Sequence, residues 1–350
     1  MRRVLAALGL AFLVLVVSAL GIAFVGMRQY EAPGPLTEQR TVVIPHGGTE
    51  QVLLTLQQAG VLDPGMLTRN VFETATALTR VDGAFHAAEL VFPAHASIQQ
   101  ALFVLRHGRP VVHRLTVPEG LSAIQIANLL EHAPYMDGSF PFPAEGSVMP
   151  LTYDYEWGMP RAQMLARMQH AMDHALDQAW EGRDVDPTIM NRHDLLVLAS
   201  MIERETGNPA ERPMVARVFL NRLHQGMKLQ SDPTVVYGLN QGAGPLGHAL
   251  THADLAQPTA YNTYVITGLP PGPICSPGLA ALQAAAHPAP GEQLYFVANG
   301  HGGHDFAATL GDHNRNVSAY RAGRHLQAAP PGKGGGGLLR SVTGAAGSGC

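Results

Sequence analysis

The sequence predicts an α+β protein with an N-terminal transmembrane helix, a small α+β module and a larger mixed α/β domain. An apolar segment at residues 4–27 carries no charge and is long enough to cross a bilayer as a helix. A short extended piece, a helix cap and helical spacing then occur together three times. Helical periodicity over residues 161–224, followed by short elements and one clear strand, indicates the larger domain.

Composition limits the classes of function. Of the 350 residues, 46% are hydrophobic and 14% are charged, which is typical of folded domains and not of disorder. The net charge of −4 gives no basic footprint, so nucleic acid is not predicted as a partner. Cys275 and Cys350 match neither a disulfide framework nor a zinc site, and one bridge between them stays open.

The N-terminus predicts export of the remaining chain. Arg2 and Arg3 precede the apolar segment, so the N-terminus is expected in the cytoplasm. A cleaved signal peptide, with a small-residue site at residues 17–19, is the alternative. Because the apolar run continues to Met27, an uncleaved single-pass anchor in the inner (plasma) membrane is favoured. Residues 1–29 would then be the cytoplasmic tip and anchor, and residues 30–40 a linker containing proline and glycine.

The predicted module covers residues 41–115. Thr49, Ser97 and Ser122 each stand between an extended piece and a run with helical spacing, and each is a predicted helix N-cap. This pattern resembles glycan-binding modules of the LysM type, and ordinary strand–helix punctuation is the alternative. The third motif leads into the larger domain, at residues 116–327.

Within the larger domain, residues 141–160 are rich in proline, glycine and aromatics, and a loop is predicted there. Spacing and stop signals predict helices and a strand after it, and glycine, proline and serine predict a disordered tail. The predicted segments are helices at 161–180, from 191 or 194 to 206 and at 214–224, a strand at 293–298, and the tail at 328–350.

Two carboxylates, Glu203 and Glu205, end an otherwise apolar helical segment. Glu203 borders the apolar face formed by Leu198, Ala199 and Ile202, and Glu205 lies about 200° further round the helix. Burial raises the pKa of a carboxyl group, and an acid that is still protonated near neutral pH can donate to a glycosidic oxygen. Glu203 is therefore the predicted proton donor. The alternative is that both are solvated acids of the last turn.

Downstream polar and aromatic residues predict a sugar-binding surface. Gln230 and Asp232 follow a helix, and Tyr261, Asn262 and Tyr264 precede a proline–glycine loop. Aromatic rings stack on pyranose faces, and amides bond to hydroxyl or N-acetyl groups. Turn formation and simple packing of the loop are the alternatives.

The sequence contains no motif typical of other kinds of chemistry. His301, His304 and His313 are not spaced as helical metal ligands, so neither a metal nor a cofactor is predicted. A nucleophile elbow and a P-loop are also missing from the sequence.

Taken together, the motifs resemble the YceG-like endolytic murein transglycosylases, the MltG family. In chain order they are A-S-M-I-E-R-E-T (199–206), V-F-L-N-R-L (218–223), M-K-L-Q-S-D-P-T-V-V-Y-G (227–238), P-T-A-Y-N-T-Y (258–264), G-L-P-P-G-P-I (268–274), L-Y-F-V-A (294–298) and G-G-H-D-F (302–306). The resemblance covers residues 117–320 well and 41–108 loosely. In the family's E-G-x-L-x-P-x-T-Y loop, Val148 and Leu151 depart from the pattern.

The resemblance implies cleavage of the β-1,4 bond between N-acetylmuramic acid and N-acetylglucosamine in peptidoglycan glycan strands, with closure of a 1,6-anhydro ring. Glu203, the first glutamate of E-R-E-T, matches the family's acid, and Glu205 is expected to support substrate binding. Endolytic action that limits nascent strands, and peptidoglycan synthases as partners, are expected from the resemblance alone. A non-catalytic peptidoglycan-binding scaffold and an ordinary muramidase are the competing hypotheses.

Overall fold

The computed structural model describes residues 2–328. The chain divides into two compact units, Met1–His174 and Ala175–Cys350. The predicted disordered tail lies, apart from Ala328, outside the described residues. The same holds for Cys350 and for any bridge that it forms with Cys275.

The first unit begins with one long helix, α1 (Arg2–Glu31). Among residues 2–328, α1 is the one helix long and apolar enough to cross a membrane, judged by length and composition. The helix runs without interruption through the small-residue site at residues 17–19. At its far end Gln29 Nε2 donates to Thr68 Oγ1 at 3.3 Å, and Tyr30 packs against the core of the next segment.

After α1 come β1 (Arg40–Val43), α2 (Thr49–Gln58), α3 (Met66–Leu78), β2 (Glu89–Phe92) and α4 (Ile98–His107). The two strands are antiparallel, with Arg40 opposite Phe92. Side chains from these elements close one core that includes Leu53, Phe72 and Leu90. This small α+β arrangement lies within the predicted module, and the helices cover the short sheet.

The predicted caps have different outcomes. Ser97 accepts from Gln100 N at 3.2 Å and forms a capping box, which confirms its prediction. Ser122 does the same with Gln125. The prediction for Thr49 is wrong, because Gly48 is the N-cap residue and Thr49 already lies in α2.

The second half of the first unit contains β3 (Val112–Thr116), α5 (Ala123–Glu131), β4 (Met136–Asp137), β5 (Thr152–Glu156), β6 (Met159–Pro160) and the start of α6 (Arg161–Gly182). The loop predicted at residues 141–160 is wrong for β5, which pairs antiparallel with β3, and for β6, which pairs parallel with β4. Tyr153 and Tyr155 are buried while their neighbours are exposed. That two-residue alternation is the signature of a half-buried strand, and the prolines and glycines around it concealed the pattern.

The second unit contains the end of α6, then α7 (Arg192–Glu205), α8 (Arg212–His224), α9 (Asp232–Asn240), α10 (His252–Leu255), α11 (Leu279–Ala286), β7 (Tyr295–Ala298), β8 (His304–Ala307) and α12 (Leu310–Ala328). Helix α7 packs against α8, α9 and α11. Its eight residues from Leu195 to Ile202 are all buried, as expected for a helix enclosed by others. Strands β7 and β8 form an antiparallel pair. The predicted helices and strand are confirmed to within a few residues.

Candidate active site

The last turn of α7 carries two acids on opposite sides. Asn191 caps the start of α7 by accepting from Asp194 N at 2.9 Å, which fixes where the helix begins. The helical rise then places Glu203 and Glu205 two residues apart at its end. Their side chains reach different partners, in agreement with the angle of about 200° expected from helix geometry.

Glu203 lies in a buried ion pair. Arg212 Nη2 donates to Glu203 Oε1 at 2.9 Å, and each side chain is only 6% exposed. The backbone N–H of Gly278 donates to Glu203 Oε2 at 2.9 Å. Both oxygens are thus engaged by the first residue of α8 and by the residue that precedes α11. These contacts are those of a residue that ties three helices together, and the acid role predicted for Glu203 stays a prediction.

Glu205 has a different environment. Ser231 Oγ donates to Glu205 Oε1 at 2.5 Å. Burial raises the pKa of Glu205 from an ordinary 4.5 to about 7, and the nearby charge of Asp232 acts in the same direction. The Ser231 hydrogen bond and the charges of His304 and Arg222 oppose this rise without cancelling it. Glu205 therefore exchanges its proton near neutral pH.

A buried hydroxyl network holds Ser231 in place. Ser231 N donates to Thr263 Oγ1 at 2.9 Å, and Thr234 Oγ1 donates to Ser231 O at 2.7 Å. The hydroxyls of Thr234 and Thr263 lie 2.8 Å apart. All three residues are buried, so the hydroxyl that meets Glu205 is fixed by the surrounding chain.

Asp232 and Tyr264 form a second pair beside Glu205. Tyr264 Oη donates to Asp232 Oδ1 at 2.6 Å, and Asp232 itself is exposed. Burial raises the pKa of Tyr264, and its bond to Asp232 and the charges of Asp232 and Glu205 act in the same direction. The phenol therefore remains a proton donor, and the exposed carboxylate of Asp232 is held in a fixed position next to Glu205.

Asn262 serves the loop and not an open surface. Its side chain is fully buried, and its Nδ2 donates to Leu255 O at 3.0 Å and to Gln257 O at 2.7 Å. Its Oδ1 accepts from Tyr264 N at 2.9 Å. These contacts use both amide hydrogens and the oxygen. The Asn262 amide is therefore not available for the sugar contact predicted from the sequence. Residues with short polar side chains commonly fold turns in this way.

Gln230 and Tyr261 differ from Asn262 in exposure. Gln230 is exposed, adopts a positive φ of 51°, and donates its backbone N–H to Thr263 O at 3.1 Å. Tyr261 is half-buried, with its ring centroid 4.7 Å from that of Tyr237. A Cβ added at Gly272 would lie 3.0 Å from Tyr261 Oη, so the proline–glycine loop approaches this ring closely.

His304 and Glu211 form a pair near Glu205. Glu211 Oε1 accepts from His304 N at 2.9 Å, and Glu211 Oε2 lies 2.8 Å from His304 Nδ1. A Cβ added at Gly303 would meet Glu211 Oε1, so the backbone at Gly303 lies close to this carboxylate. The pair lowers the pKa of Glu211 through its hydrogen bonds and the charge of His304, against the effect of burial.

Comparison with known proteins decides the family. The model of the YceG-like family matches residues 42–319, which is most of the chain. The chain belongs to the YceG-like family. A solved YceG-like protein from Listeria monocytogenes superposes with a TM-score of 0.50 at 27% identity, and the match covers 79% of this chain and 98% of that one. These matches confirm the family that the sequence motifs predict.

Two named relatives extend the comparison. The endolytic murein transglycosylase of Bacillus subtilis is 34% identical over 178 residues, which cover 51% of this chain and 48% of that protein. The endolytic murein transglycosylase of Streptococcus pneumoniae is 27% identical over 330 residues, with 80% of this chain and 58% of that protein covered. The chain thus spans about half the length of the curated relatives that it matches.

Three residues of the site were not predicted from the sequence: Arg222, His304 and Glu211. Arg222 is buried, and it donates to Leu294 O at 2.7 Å and to Leu229 O at 2.8 Å, which joins α8 to β7 and to the segment before Ser231. Arg222 and His304 both lie in family motifs, and those motifs were the available signal. Glu211 lies 93 positions from His304 and outside every motif, so no sequence signal marked it.

The histidines of the YceG-like chain are dispersed by the fold. His304 pairs with Glu211, and the ring of His313 stacks on Tyr295 at 5.1 Å between centroids. In the part of the chain that the structure describes, no three His, Cys, Asp or Glu side chains form a group that could hold a metal ion.

Proposed function

We propose that this protein is a lytic transglycosylase that cleaves the β-1,4 bond between N-acetylmuramic acid and N-acetylglucosamine in peptidoglycan and leaves 1,6-anhydro ends. One observation carries the proposal: Glu205 is a carboxylic acid whose pKa is raised to about 7 by burial and whose geometry is fixed by Ser231. The names of its relatives support the substrate.

We assign the acid to Glu205 and not to Glu203. Protonated Glu205 donates its proton to the glycosidic oxygen while the bond from that oxygen to C1 of the muramoyl residue breaks. The muramoyl C6 hydroxyl then attacks C1 and returns a proton to Glu205. The proton balance closes without water, so one carboxyl group serves as acid and then as base. A pKa near neutrality suits both steps.

The surrounding residues have supporting roles in this proposal. Ser231 occupies Glu205 Oε1 and so leaves Oε2 as the oxygen that exchanges the proton. Asp232, held by Tyr264, presents negative charge where the sugar ring becomes oxocarbenium-like. Gln230 and Tyr261 keep the sugar-binding roles predicted from the sequence.

A muramidase is the second candidate, because Asp232 gives Glu205 a neighbouring carboxylate of the kind that glycoside hydrolysis uses. The product separates the two reactions. Purified sacculi treated with the protein and analysed by mass spectrometry are expected to yield 1,6-anhydro muropeptides. Reducing ends in their place would support hydrolysis and contradict the transglycosylase.

The first unit supports anchoring and glycan contact. Helix α1 suits a single-pass anchor in the inner membrane with a cytoplasmic N-terminus, because Arg2 and Arg3 precede its apolar segment. The strand–helix–helix–strand order from β1 to β2 supports a LysM-like, glycan-binding module. Endolytic cleavage that limits the length of nascent strands is part of this proposal. Internal cuts would appear as a drop in glycan chain length before small fragments accumulate.

A further inference from the structure

We propose that the exposed apolar face of α3 docks into the outer boundary of the bilayer beside α1, and that lipid acyl chains fill the groove between these two helices. The inference goes beyond the reaction and concerns the first unit alone. It rests on the membrane anchoring proposed above.

The apolar face of α3 has helical spacing. Leu67, Val71, Ala75 and Leu78 follow one another at intervals of three or four residues and line the groove towards α1. On the adjoining side of the helix, Phe72 is buried in the module core. Helix α3 therefore buries one side in its own module, against which Val71 and Ala75 also pack, and leaves Leu67 and Leu78 exposed in the groove. The polar side chains of Asn70, Thr74 and Thr79 complete the α3 side of the groove.

Apolar side chains on and next to the groove side of α3 are more exposed than is usual on the surface of a soluble protein. Leu78 is 77% exposed, and Val81, just beyond the helix, is 92% exposed. Met66 at the other end of α3 is exposed as well. Exposed apolar side chains that line one groove, here Leu67 and Leu78, are typical of an interaction site, and their chemistry fits another apolar surface.

The groove has α1 as its opposite wall. It encloses about 880 Å³, and its α1 side is formed mainly by small and apolar residues: Ser18, Gly21, Ile22, Ala23, Val25, Gly26 and Met27. No residue of α1 between its described ends is buried by protein. Lipid that surrounds α1 would therefore be continuous with the groove.

Helix geometry places the groove at the outer boundary of the bilayer. About 20 residues cross the hydrocarbon layer, so a span that starts at Val4 reaches Ala23. The groove begins at Ser18, which leaves roughly 8 Å of its length inside that layer at about 1.5 Å per residue. Apolar faces of interfacial helices sink by about 5–10 Å.

The direction of α3 fits this depth. Gln29, near the end of α1, bonds to Thr68 near the start of α3. From there α3 runs back along α1, and Leu78 lines the same groove as Ser18 and Gly21. Leu78 thus lies at the deeper end. Arg80 follows on the exposed surface, with a stem long enough to reach lipid phosphates.

Tryptophan scanning of the full chain tests the proposal. Leu78→Trp adds a fluorophore to the groove face, and Glu73→Trp is the matched control because Glu73 is exposed on the opposite side of the same helix. Each variant is reconstituted into phosphatidylcholine vesicles with or without bromine on the acyl chains. The vesicles are floated, and emission is read from the floated fraction.

Brominated lipid is expected to quench L78W strongly and to quench E73W no more than the wild type, whose native Trp157 and Trp180 give the background. Equal quenching of the two variants overturns the inference. Unquenched L78W also overturns it, whether the groove then holds a second copy or another part of this chain. Protein that fails to float would contradict the anchor itself, which separates the two failures.

Discussion

The two sides of the last turn of α7 give one residue type two different environments. On one side, Glu203 meets the guanidinium of Arg212 and a backbone N–H, so its charge is compensated. On the other side, Glu205 meets a serine hydroxyl, and burial raises its pKa to about 7. The difference teaches that two acids of one helix turn can have different partners, which burial alone does not reveal. The Arg212 guanidinium is hydrogen-bonded to Glu203, whereas the charges of His304 and Arg222 only partly oppose the rise in the pKa of Glu205.

The largest expected effect is on catalysis by Glu205. Glu205→Gln keeps the shape of the side chain and removes the transferable proton. We expect the rate of anhydro-muropeptide release from sacculi to fall about 10²–10⁴-fold, the usual contribution of a general acid–base group. Chromatography with mass spectrometry measures the release. A variant that retains the wild-type rate would exclude Glu205 as the acid.

The second effect is on stability, and it belongs to Glu203. Glu203→Gln leaves the buried Arg212 charge without its carboxylate, so the free energy of unfolding should fall by about 3–5 kcal/mol. Chemical denaturation of the detergent-solubilised chain measures this. Arg212→Gln is the reciprocal control and should be destabilising to a similar extent. A stable Glu203→Gln protein without activity would restore Glu203 as the acid.

The third effect is again on the free energy of unfolding, but here the substitution, at Glu205, should stabilise the protein. Because the pKa of Glu205 is raised, the folded state binds more protons than the unfolded state between pH 4.5 and about 7, and stability falls as pH rises through that window. Glu205→Gln avoids this loss. It should be more stable than wild type by about 3 kcal/mol at pH 8 and no more stable at pH 4. Denaturation at both pH values checks the difference, and an equal effect at the two would contradict the raised pKa.

The smallest effect concerns Ser231. Its hydrogen bond lowers the pKa of Glu205, so Ser231→Ala should raise that pKa further and move the alkaline fall of activity to higher pH. Ser200→Ala is the matched control, because the Ser200 hydroxyl bonds Val197 O and Ile274 N. If activity falls at the same alkaline pH in Ser231→Ala as in the wild type, this hydrogen bond does not set the pKa of Glu205.

Much of the frame of the site follows from local sequence. The helical spacing from Leu195 to Ile202 predicts α7, and the same geometry places Glu203 and Glu205 on different sides. In the first unit, which does not contain the site, Ser97 and Ser122 are confirmed as helix caps, because a cap depends on residues three positions away.

The different surroundings of the two acids could not be predicted from sequence, because residues outside α7 provide them. Glu203 meets Gly278, 75 positions away, and Glu205 meets Ser231, 26 positions away. The apolar neighbours of Glu203 suggested desolvation, but they gave no sign of the arginine that would compensate its charge. Asn262 shows the same limit, because a turn that consumes its amide cannot be told in sequence from a surface that presents it.

The most direct test of the account is a titration of Glu205 itself. Carbon-13 NMR of glutamate-labelled protein, with Glu205→Gln to assign the resonance, measures the pKa of this carboxyl group. The account predicts a midpoint near 7 for Glu205. A Glu205 midpoint at the ordinary value of 4.5 would contradict it.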